Sequence, residues 1–530
     1  FIDVNKQTVQ WKGNTHSLKE ILIDVVRSGD IQLVPERFNS TYFHWVENLE
    51  DWCISRQIWW GHRIPVYYSD NETRASLKKP EPFKGWEQDP DTLDTWFSSA
   101  LWTWSTLIDP ESAKNYSLSL EDVLERSPDF QKFHPTDIME TGYDILFFWV
   151  ARMILMTTYM LQEVPFKIVY LHGLVRTREG KKMSKSDPKS VIDPLDSIEK
   201  YGADSLRIAL ISGTGPGQDL RLYPEKMESN RRFINKIWNA GRYILMTIPD
   251  GTPITAPQTV NSEIAKWLLH GLNHLIQDTQ SRLESHRLSD VADNLKSFFW
   301  GDFCDWYLEM DKNPNRTNED NHVIAFAFTT LIKMLHLYIP FVTEALWKEF
   351  QQSKMLAFSE WPQSLPYNFK TAHQRIEIVK ESISQIRALR EKANIGLEIK
   401  ITAALYSTVN ASIFKEHQNI IIRLARLKEL NISEKEPDTA NELFGVYFIE
   451  TFASIDATFI DWEKEIQTLQ KKFKLESVFV EKSRKKLDNP GFLSNAPEKI
   501  VTELRKKIID KEKILKALKH QIRDLEKLAS

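Results

Sequence analysis

Helical and β-prone segments alternate along the chain to about residue 220, and this alternation constrains the fold more than any other feature. Apolar residues recur at helical spacing between Ser17 and Arg27, and β-prone runs lie at 31–34 and 166–170. The pattern predicts an α/β domain with a parallel sheet. Ligands of such sheets bind beyond the carboxyl ends of the strands, which directs attention to Gly173 and the residues that follow it.

From residue 225 to 395 the pattern becomes almost wholly helical, and it predicts a helical bundle. A shorter mixed segment follows, with β-prone runs at 399–406 and 446–452. The amphipathic stretches of the helical part lie at 234–246, 264–283, 291–310 and 324–350.

The end of the chain carries two series of residues that are spaced by three and four, as in heptad seams. Glu476 interrupts the first series, and Lys511 interrupts the second. Between them, the sequence Asp-Asn-Pro-Gly at 488–491 is a strong turn signal. We expect an antiparallel coiled-coil hairpin over 459–530, with an oligomerising coiled coil as the alternative.

A length of 530 residues exceeds what one hydrophobic core supports, so three or four domains are expected. Hydrophobic residues make up 42% of the chain, and no run approaches the roughly 18 uninterrupted apolar residues that a membrane span needs. These features predict a cytoplasmic protein that does not enter a membrane. The two cysteines, Cys53 and Cys304, exclude a disulfide scaffold and a four-cysteine zinc site, and we expect both to be buried.

The net charge of −4 argues weakly against a nucleic-acid partner, but the charge is unevenly distributed. Residues 461–530 hold 18 Lys and Arg against 12 Asp and Glu. Positive charge is therefore concentrated at the carboxyl end, as in segments that contact nucleic acids. The chain begins at Phe1 rather than at methionine, so we expect a fragment or a processed piece.

Residues 179–186 read Glu-Gly-Lys-Lys-Met-Ser-Lys-Ser and form the clearest chemical motif of the chain. Gly180 opens a flexible stretch in which the ammonium groups of Lys182 and Lys185 are interleaved with small hydroxyl residues. Such cations stabilise the charge that develops on pyrophosphate when a carboxylate attacks the α-phosphate of ATP. A solvated surface loop is the alternative interpretation.

The loop resembles the signature loop of the class I aminoacyl-tRNA synthetases, and two further segments resemble the valyl-tRNA synthetases among them. These segments are DWCISRQIWWGHRIP at 51–65 and DTLDTWFSSALW at 91–102. The resemblance implies that one tryptophan of the pair Trp59 and Trp60, together with Trp96, walls the pocket for the amino acid side chain. Flat rings suit a small apolar cavity, and ordinary core packing is the alternative role of these tryptophans.

The segment TGYD at 141–144 resembles the part of the family that lies along the adenylate. There Gly142 permits close backbone approach, and Asp144 accepts hydrogen bonds from the ribose hydroxyls. The alternative role of Asp144 is the N-terminal cap of the apolar helix that follows. His172 and Gly173 resemble the strand end on the adenine side of the family's ATP site.

By the same resemblance, Lys182 and Lys185 are catalytic, and Met183, Ser184 and Lys185 contact ATP. The family usually continues this loop with Lys-Gly-Asn-Val-Ile-Asp-Pro, whereas this chain reads Asp-Pro-Lys-Ser-Val-Ile-Asp-Pro at 187–194. The loop is therefore one residue longer, and Pro188 stiffens it, so its closure over ATP can differ from that of the usual enzyme.

The arm at the end of the chain resembles the segment with which the family contacts the body of the tRNA. Its basic clusters provide phosphate contacts. Such contacts make binding to the tRNA stronger and salt-dependent, but they do not distinguish one nucleotide sequence from another. A solvated helix face is the alternative interpretation. The candidate tRNA-binding residues are Arg484, Lys485, Lys486, Arg505 and Lys506.

Segments 233–239, 303–309 and 340–347 resemble the anticodon-binding helices of the family. Exposed aromatic rings there stack on unpaired anticodon bases. Most of their aromatic side chains are nevertheless expected in the core.

The family carries a second ATP-binding motif of the His-Ile-Gly-His type, which would precede Phe1. The chain is therefore expected to hold only the later part of such a protein. In chain order we expect the end of the editing insertion (1–40), the second half of a Rossmann-like catalytic domain (41–224), an all-α anticodon-binding domain (225–395), a mixed connecting segment (396–458) and a coiled-coil tRNA-binding arm (459–530).

The resemblance implies a valine-tRNA ligase that uses valine, ATP with Mg²⁺ and the tRNA for valine. It also implies a monomer that works together with the missing amino-terminal half. No tightly bound metal is predicted, and no residue can be named as a ligand of the magnesium ion. An isoleucine-specific relative, which the Trp-Trp-Gly-His-Arg sequence disfavours, and a noncatalytic tRNA-binding module are the alternatives.

Overall fold

The computed structural model describes the chain apart from residues 71, 82–84, 184–190, 313–315, 351–353, 436–443, 457–461, 488–500 and scattered positions between 502 and 530. The chain divides into two units. Unit 1 comprises Phe1–Gly251, Leu275–Phe298 and Phe328–Ser364. Unit 2 comprises Thr252–His274, Phe299–Ala327 and Leu365–Ser530.

Short strands alternate with helices in the first part of the chain, and four further strands follow the helical part. The strands are β1 (Val9–Trp11), β2 (Asn14–His16), β3 (Gln32–Val34), β4 (Ser55–Arg56), β5 (Val66–Tyr68), β6 (Thr73–Ala75), β7 (Glu87–Gln88), β8 (Thr92–Leu93), β9 (Thr136–Gly142), β10 (Phe166–His172), β11 (Val175–Arg176), β12 (Leu220–Arg221), β13 (Ile401–Tyr406), β14 (Leu427–Ser433), β15 (Gly445–Phe448) and β16 (Thr451–Ile455).

Long helices dominate the chain after β12. The helices are α1 (Leu18–Arg27), α2 (Phe38–Glu47), α3 (Thr95–Ser99), α4 (Trp102–Ser105), α5 (Pro110–Ala113), α6 (Leu120–Glu125), α7 (Pro128–Phe133), α8 (Ala151–Leu161), α9 (Pro194–Tyr201), α10 (Ala203–Ile211), α11 (Pro224–Thr247), α12 (Glu263–Glu284), α13 (Leu288–Phe298), α14 (Leu308–Met310), α15 (Asn318–Leu335), α16 (Pro340–Glu349), α17 (Lys370–Lys392), α18 (Ala411–Glu416), α19 (Gln418–Leu424) and α20 (Trp462–Leu487).

Tighter and wider turns interrupt the α-helices. Turns of 3₁₀ type lie at Tyr143–Ile145 and Leu356–Phe358, and π-helical segments lie at Leu146–Val150 and Phe299–Tyr307. Beyond α20, the described residues between 501 and 526 are helical as well.

Unit 1 is built on the parallel sheet β3-β10-β9, in which β10 is the central strand. Val169 and Phe166 of β10 are fully buried and belong to one core with residues of α1 and α8. Both β-prone runs noted in the sequence, at 31–34 and 166–170, lie in this sheet. The prediction of an α/β layer with a parallel sheet is therefore confirmed.

The sequence of α1 shows why this helix forms where it does. Ser17 caps its amino end in a capping box with Glu20, in which each side chain accepts from the backbone of the other residue. Ile21, Leu22 and Val25 lie on one face and are fully buried. The helical spacing in the sequence predicted this element correctly.

The apolar stretch after β9 forms a helical run of mixed type. Among the described residues, the run Tyr143–Leu161 is the one helix long and apolar enough to cross a membrane by length and composition. Half of its most apolar window is buried inside the protein, and Met153 and Ile154 are fully buried. A core helix of this kind meets the same criteria of length and composition.

Unit 1 also contains a helical part in which a buried carboxylate caps a distant helix. Asp204 of α10 accepts from the backbone N–H groups of Phe341 and Val342, at 3.2 and 2.7 Å. These groups open α16 and have no partner within that helix. The contact therefore joins α10 to α16 across more than a hundred residues of sequence.

The sheet of unit 2 has the strand order β14-β13-β16-β15. The β-prone run predicted at 446–452 covers parts of two strands, because the chain turns between them at Ile449 and Glu450, which adopt positive φ angles of 33° and 53°. Periodicity alone does not reveal such a turn, since neither residue is a typical turn former.

A buried arginine joins α17 to the loops beside this sheet. Arg390 is 2% exposed and donates to the carbonyls of Gly396 and Ile399, each at 2.7 Å, and of Arg426 at 2.8 Å. Burial lowers the pKa of its guanidinium group, and these carbonyls compensate part of the cost of burial. Arg390 thereby fixes the end of α17.

The charged interruptions of the two heptad series meet each other in unit 2. Lys511 Nζ donates to Glu476 Oε1 at 2.6 Å. Ile508 and Val480 are 6% and 7% exposed. The two unfavourable positions of the seams are therefore matched as an ion pair, whereas the turn predicted at 488–491 lies outside the described residues.

The prediction that both cysteines are buried is wrong for one of them. Cys304 is buried as expected, whereas Cys53 is exposed. Its thiol lies 3.8 Å from the carbonyl of Ser55. Cys53 follows Trp52 in a connecting segment, where composition alone does not determine which side chains face solvent.

The sheet provides a direct test of where the stability of unit 1 originates. Phe166→Ala empties a fully buried position of the central strand and is expected to lower the free energy of unfolding by about 3–5 kcal/mol. Ile138→Ala on β9 removes a side chain that is 45% exposed and serves as the matched control, with a much smaller expected loss. Urea denaturation followed by circular dichroism measures both, and equal losses would contradict the prediction.

Candidate functional site

The parallel strands β9 and β10 end side by side, and their ends define the candidate site. In the register of the pair, Gly142 lies opposite His172. The exposed side chain of Asp144 follows two residues later. A Cβ atom on Gly142 would lie 2.6 Å from Asp144 Oδ1 and 3.4 Å from His172 Cε1. A larger residue here would therefore displace the Asp144 carboxylate.

Gly173, directly after β10, allows another backbone segment to pass very close. A Cβ atom on this glycine would lie 2.0 Å from the carbonyl oxygen of Gln218 and 2.6 Å from the amide nitrogen of Asp219. Both are backbone atoms, which cannot turn aside as a flexible side chain can. Gly173 is therefore required for the segment before β12 to lie against the end of β10.

Asp219 ties the strand ends together, and the sequence analysis did not identify it. Its Oδ1 accepts from the Leu174 N–H at 2.8 Å and from the Tyr143 hydroxyl at 3.0 Å. Its Oδ2 accepts from Arg176 Nε. A single carboxylate thus joins the turn after β9, the segment after β10 and the strand pair β11-β12.

The hydrogen bonds also determine the protonation of Asp219. Partial burial alone would raise the pKa of this carboxyl group. The contacts from the Leu174 amide, Arg176 and Tyr143 outweigh burial, so the pKa is lowered. The carboxylate is therefore charged at neutral pH and holds Arg176 in place.

A short hairpin carries the first lysine of the motif to the edge of this site. The N–H of Thr177 donates to the Lys181 carbonyl and the N–H of Gly180 donates to the Thr177 carbonyl, each at 2.9 Å. Gly180 adopts a φ of 84°, which glycine tolerates best. A bridge between Arg176 and Lys182 closes the hairpin and leaves the Lys182 side chain exposed.

Met183 anchors the start of the lysine loop. Its side chain packs against the apolar cluster of Leu206, Ala209, Leu222 and Met227. The loop therefore leaves from a fixed point, whereas Ser184 and Lys185 lie outside the described residues.

The alternative role proposed for Asp144 is wrong. Gly142 occupies the cap position of the 3₁₀ turn, and Ile145 that of the π-helical segment that follows. Asp144 lies inside the turn and is not the N-terminal cap of the apolar helix. Its carboxylate is exposed beside the ends of β9 and β10.

The ring of His172 is held by contacts at the same edge. Its Nδ1 lies 2.7 Å from the Gly173 carbonyl, and its Nε2 lies 3.4 Å from Glu140 Oε1. The side chain remains 47% exposed. It therefore presents one ring edge to solvent beside Gly142.

The two tryptophan-containing segments are joined by the buried carboxylate of Asp94. Its Oδ2 accepts from Trp52 Nε1 at 3.0 Å and lies 3.2 Å from Arg56 and 3.5 Å from Arg152. The strands β4 and β8 also pair. A cavity of about 360 Å³ adjoins Trp52, Arg56 and Arg152. The motifs at 51–65 and 91–102 thus form one local structure, as the resemblance requires.

The predicted walls of the amino acid pocket occupy different environments. Trp59 and Trp60 are 99% and 90% exposed, so neither is an ordinary core residue. Trp96 is half-buried and stacks on Phe148, with ring centroids 6.1 Å apart. Their shared role as pocket walls stays a prediction.

The candidate tRNA-binding residues of the arm are exposed where the structure describes them. Arg484, Lys485 and Lys486 lie in the last turn of α20. Lys485 Nζ donates to Glu481 Oε1 at 2.8 Å, which raises the pKa of the lysine. Arg505 is exposed, and Lys506 lies outside the described residues.

The aromatic side chains of the predicted anticodon-binding segments divide between core and surface. Phe233, Phe303 and Trp347 are buried. Trp238 and Phe341 are 41% and 65% exposed. The two exposed rings are available for stacking on bases, and the buried ones are not.

Three family models match successive parts of the chain. The model "tRNA synthetases class I (I, L, M and V)" matches residues 2–84 and 72–223. The model "Anticodon-binding domain of tRNA ligase" matches residues 265–405, and the model "Valyl tRNA synthetase tRNA binding arm" matches residues 461–526. Residues 2–223 thus match the model of the catalytic domain, and 265–405 that of the anticodon-binding domain.

Curated relatives resemble the chain over nearly its whole length. The valine-tRNA ligase of Clostridium tetani is 37% identical over 544 residues, which cover 97% of this chain and 59% of the relative. That of Bacillus subtilis is 36% identical and covers 94% of this chain and 57% of the relative. The chain therefore spans less than three fifths of the length of these relatives.

A solved structure supports the fold independently. The LeuRS of Agrobacterium radiobacter K84, solved as a ternary complex with tRNA and LeuAMS, aligns with a TM-score of 0.50 and 16% identity. The alignment covers 68% of this chain and 44% of that protein. At this identity the likeness shows the fold alone.

Gly173→Ala tests the close approach that holds the site together. The new Cβ atom would overlap the backbone of Gln218 and Asp219, so we expect the free energy of unfolding to fall by about 1–3 kcal/mol. Gly215→Ala is the control in the same loop, because its Cβ would meet only the Gln218 side chain at 3.6 Å. Chemical denaturation measures both variants. A Gly173→Ala variant as stable as the unmodified chain would contradict the prediction, because it would show that the two backbone segments can move apart.

Proposed function

Because the chain belongs to the class I aminoacyl-tRNA synthetases, and to the valyl-tRNA synthetases among them, we propose that it takes part in valine-tRNA ligase activity. Valine attacks the α-phosphate of ATP to give valyl-adenylate and pyrophosphate, and the valyl group then passes to the terminal ribose of the tRNA. The observation that carries the proposal is the meeting of Gly142, His172 and Gly173 beside the hairpin that presents Lys182.

The strand ends suit a nucleotide that lies across them. Gly142 lets the Asp144 carboxylate and the His172 ring lie close together at the strand ends, and Gly173 lets the backbone of Gln218 and Asp219 pass against the end of β10. The exposed Asp144 carboxylate accepts hydrogen bonds from the ribose hydroxyls, and His172 borders the adenine. This position beyond the carboxyl ends of parallel strands is the usual ligand position in α/β sheets.

The lysine loop supplies the charge that the reaction requires. Lys182 and Lys185 face the departing pyrophosphate and stabilise the transition state, and Met183 and Ser184 shape the loop around ATP. Mg²⁺ enters with ATP as part of the substrate complex. The packing of Met183 in its apolar cluster supports this arrangement, because it fixes the position of the chain directly after Lys182.

The tryptophans select the amino acid by shape. Trp96 and one ring of the pair Trp59 and Trp60 bound a small apolar pocket that accommodates the branched side chain of valine. The high exposure of the pair supports this role, since rings of this size are rarely left in water without a partner.

The arm binds the body of the tRNA as a coiled-coil hairpin. The helical described residues between 501 and 526, and the ion pair between Lys511 and Glu476, support two helices that run side by side. Arg484, Lys486 and their neighbours then contact phosphates, which requires only that the cations be exposed.

A noncatalytic tRNA-binding module is the second candidate. Its support is that the exposed cations of the arm, Arg484 and Lys486, need no ATP site in order to contact tRNA. This candidate retains tRNA but gives no valine-dependent exchange when an amino-terminal half is added. Either form is proposed to work in the cytoplasm as a monomer.

Retention of total cellular tRNA on the immobilised chain tests the tRNA-binding part. We expect enrichment of valine tRNAs and weaker binding at higher salt, because phosphate contacts release counterions. The double variant Lys486→Ala with Arg505→Ala is expected to lower the salt slope by about one for each phosphate that the variant no longer neutralises. Lys6→Ala, an exposed lysine in unit 1, is the control. Enrichment of isoleucine tRNAs would overturn the amino acid assignment.

Pyrophosphate exchange tests the catalytic part, with a matching amino-terminal half of a valyl-tRNA synthetase supplied as a separate chain. Lys182→Ala is expected to reduce valine-dependent exchange by roughly 100- to 1,000-fold, since one donor to the pyrophosphate is removed. The neighbouring Lys181→Ala is the matched control, because the contact observed for Lys181 uses its backbone carbonyl. Equal losses in both variants would contradict the assignment of Lys182, and no exchange with the unmodified chain would favour the second candidate.

A further inference from the structure

Three histidine rings lie together between α12 and α17 in unit 2. The centroid of the His270 ring lies 4.6 Å from that of His274 and 4.9 Å from that of His373. His270 and His274 are four residues apart and therefore occupy one face of α12. His373 comes from the first turn of α17. Neither the sequence motifs nor the proposed function uses these three residues.

Two of these rings have buried nitrogens without a partner. Nδ1 of His270 and Nδ1 of His373 are buried and lack a hydrogen-bond partner among the described residues. Such groups are rare in folded proteins, because an unpaired buried polar atom loses its contacts with water. One ligand shared by the two adjacent rings would satisfy both nitrogens.

We propose that His270, His274 and His373 form a binding site for a divalent transition metal ion, with Zn²⁺ as the expected occupant. Imidazole nitrogen is a preferred ligand of zinc and related metals. Three protein ligands leave a fourth position for water or for another ligand.

The separations of the His270 ring from the other two rings are close to those in a metal centre. Zinc binds an imidazole nitrogen at about 2.0–2.1 Å, which places each ring centre about 3.2 Å from the metal. At a tetrahedral angle, two such ring centres are then about 5.2 Å apart. The observed separations of 4.6 and 4.9 Å are close to this value. Among the described residues, the three donor atoms that lie within 4.8 Å of one another belong to Glu263, Glu416 and His417, so the nitrogens of the three histidines converge only when the exposed ring of His274 turns toward the other two.

The helices that carry the rings are fixed by contacts beside them. Trp267 Nε1 donates to Glu377 Oε1 at 2.7 Å and so joins α12 to α17. The Leu365 N–H donates to Asn273 Oδ1 at 2.8 Å, and Asn273 Nδ2 donates back to the Leu365 carbonyl at 3.3 Å. These contacts flank the histidines in sequence, so the backbone positions of the rings are set before any ligand binds.

The electrostatic surroundings favour the neutral form of the His270 ring. Burial, and then the neighbouring His373, His274 and Lys370, lower the pKa of His270. A neutral ring offers a lone pair at neutral pH, which a metal ligand requires.

A second cluster of potential ligands in unit 2 is a weaker candidate. Donor atoms of Glu263, Glu416 and His417 lie within 4.8 Å of one another. Arg375 already pairs with both carboxylates, and His417 Nε2 lies 2.7 Å from Glu263 Oε2. A guanidinium group thus supplies the positive charge there, so a metal ion would have to displace it.

A metal at the histidine site would cross-link two helices that are far apart in sequence. His274 and His373 are separated by almost a hundred residues, and the ion would hold α12 against the start of α17. Because the ion binds the folded site and not the unfolded chain, it should raise the melting temperature in proportion to the logarithm of its concentration.

Titration of the full chain with Co²⁺ tests the proposal, since tetrahedral Co²⁺ bound to imidazole absorbs visible light. Competition with Zn²⁺ then gives the zinc affinity. The background variant Cys53→Ser removes the exposed thiol as a competing ligand. In this background, His274→Gln is expected to weaken binding at least about 10-fold and to abolish the zinc-dependent rise in melting temperature. His274 is exposed, so this variant is expected to fold without metal.

Two further variants separate the outcomes. His44→Gln, at an exposed position of α2 in unit 1, is expected to leave binding unchanged. Glu416→Gln is expected to do the same, because Glu416 belongs to the second cluster. Undiminished binding by His274→Gln would overturn the proposal, as would loss of binding in Glu416→Gln alone. Absence of binding by the Cys53→Ser chain would overturn it as well.

Discussion

The parallel pairing of β9 with β10 is the constraint on which the candidate site of unit 1 depends. It places Gly142 opposite His172, so both strands deliver their last residues to one edge. Gly173 then lets the backbone around Asp219 pass at a distance that no side chain would permit. If this pairing slipped by one residue, every side chain of the strand would change face, and the glycine would no longer meet that backbone.

Asp219 stabilises the site that the strand pairing forms. It accepts hydrogen bonds from three groups that belong to different segments, and they lower the pKa of its carboxyl group. The lysine hairpin begins at Arg176, which Asp219 holds, and ends at Met183, which is packed in an apolar cluster. The described part of the lysine motif is therefore held at both ends by contacts with the rest of unit 1.

The predictions that succeeded rested on local patterns. The helix between Ser17 and Arg27 and the strands near 31–34 and 166–170 follow from residues that are close in sequence. The predictions that failed depended on surroundings that the sequence does not display. Cys53 is exposed, and Asp144 is not a cap.

The sequence by itself determined the family, the order of its parts and the identity of the residues in the lysine motif. The lysine motif can be recognised from the sequence, because its residues lie within a few positions of one another. Only the tertiary structure brought Asp219 to Tyr143, Asp94 to Arg152 and His270 to His373. These contacts join residues that are 58 to 103 positions apart in the sequence, and packing rather than periodicity decides which of them meet.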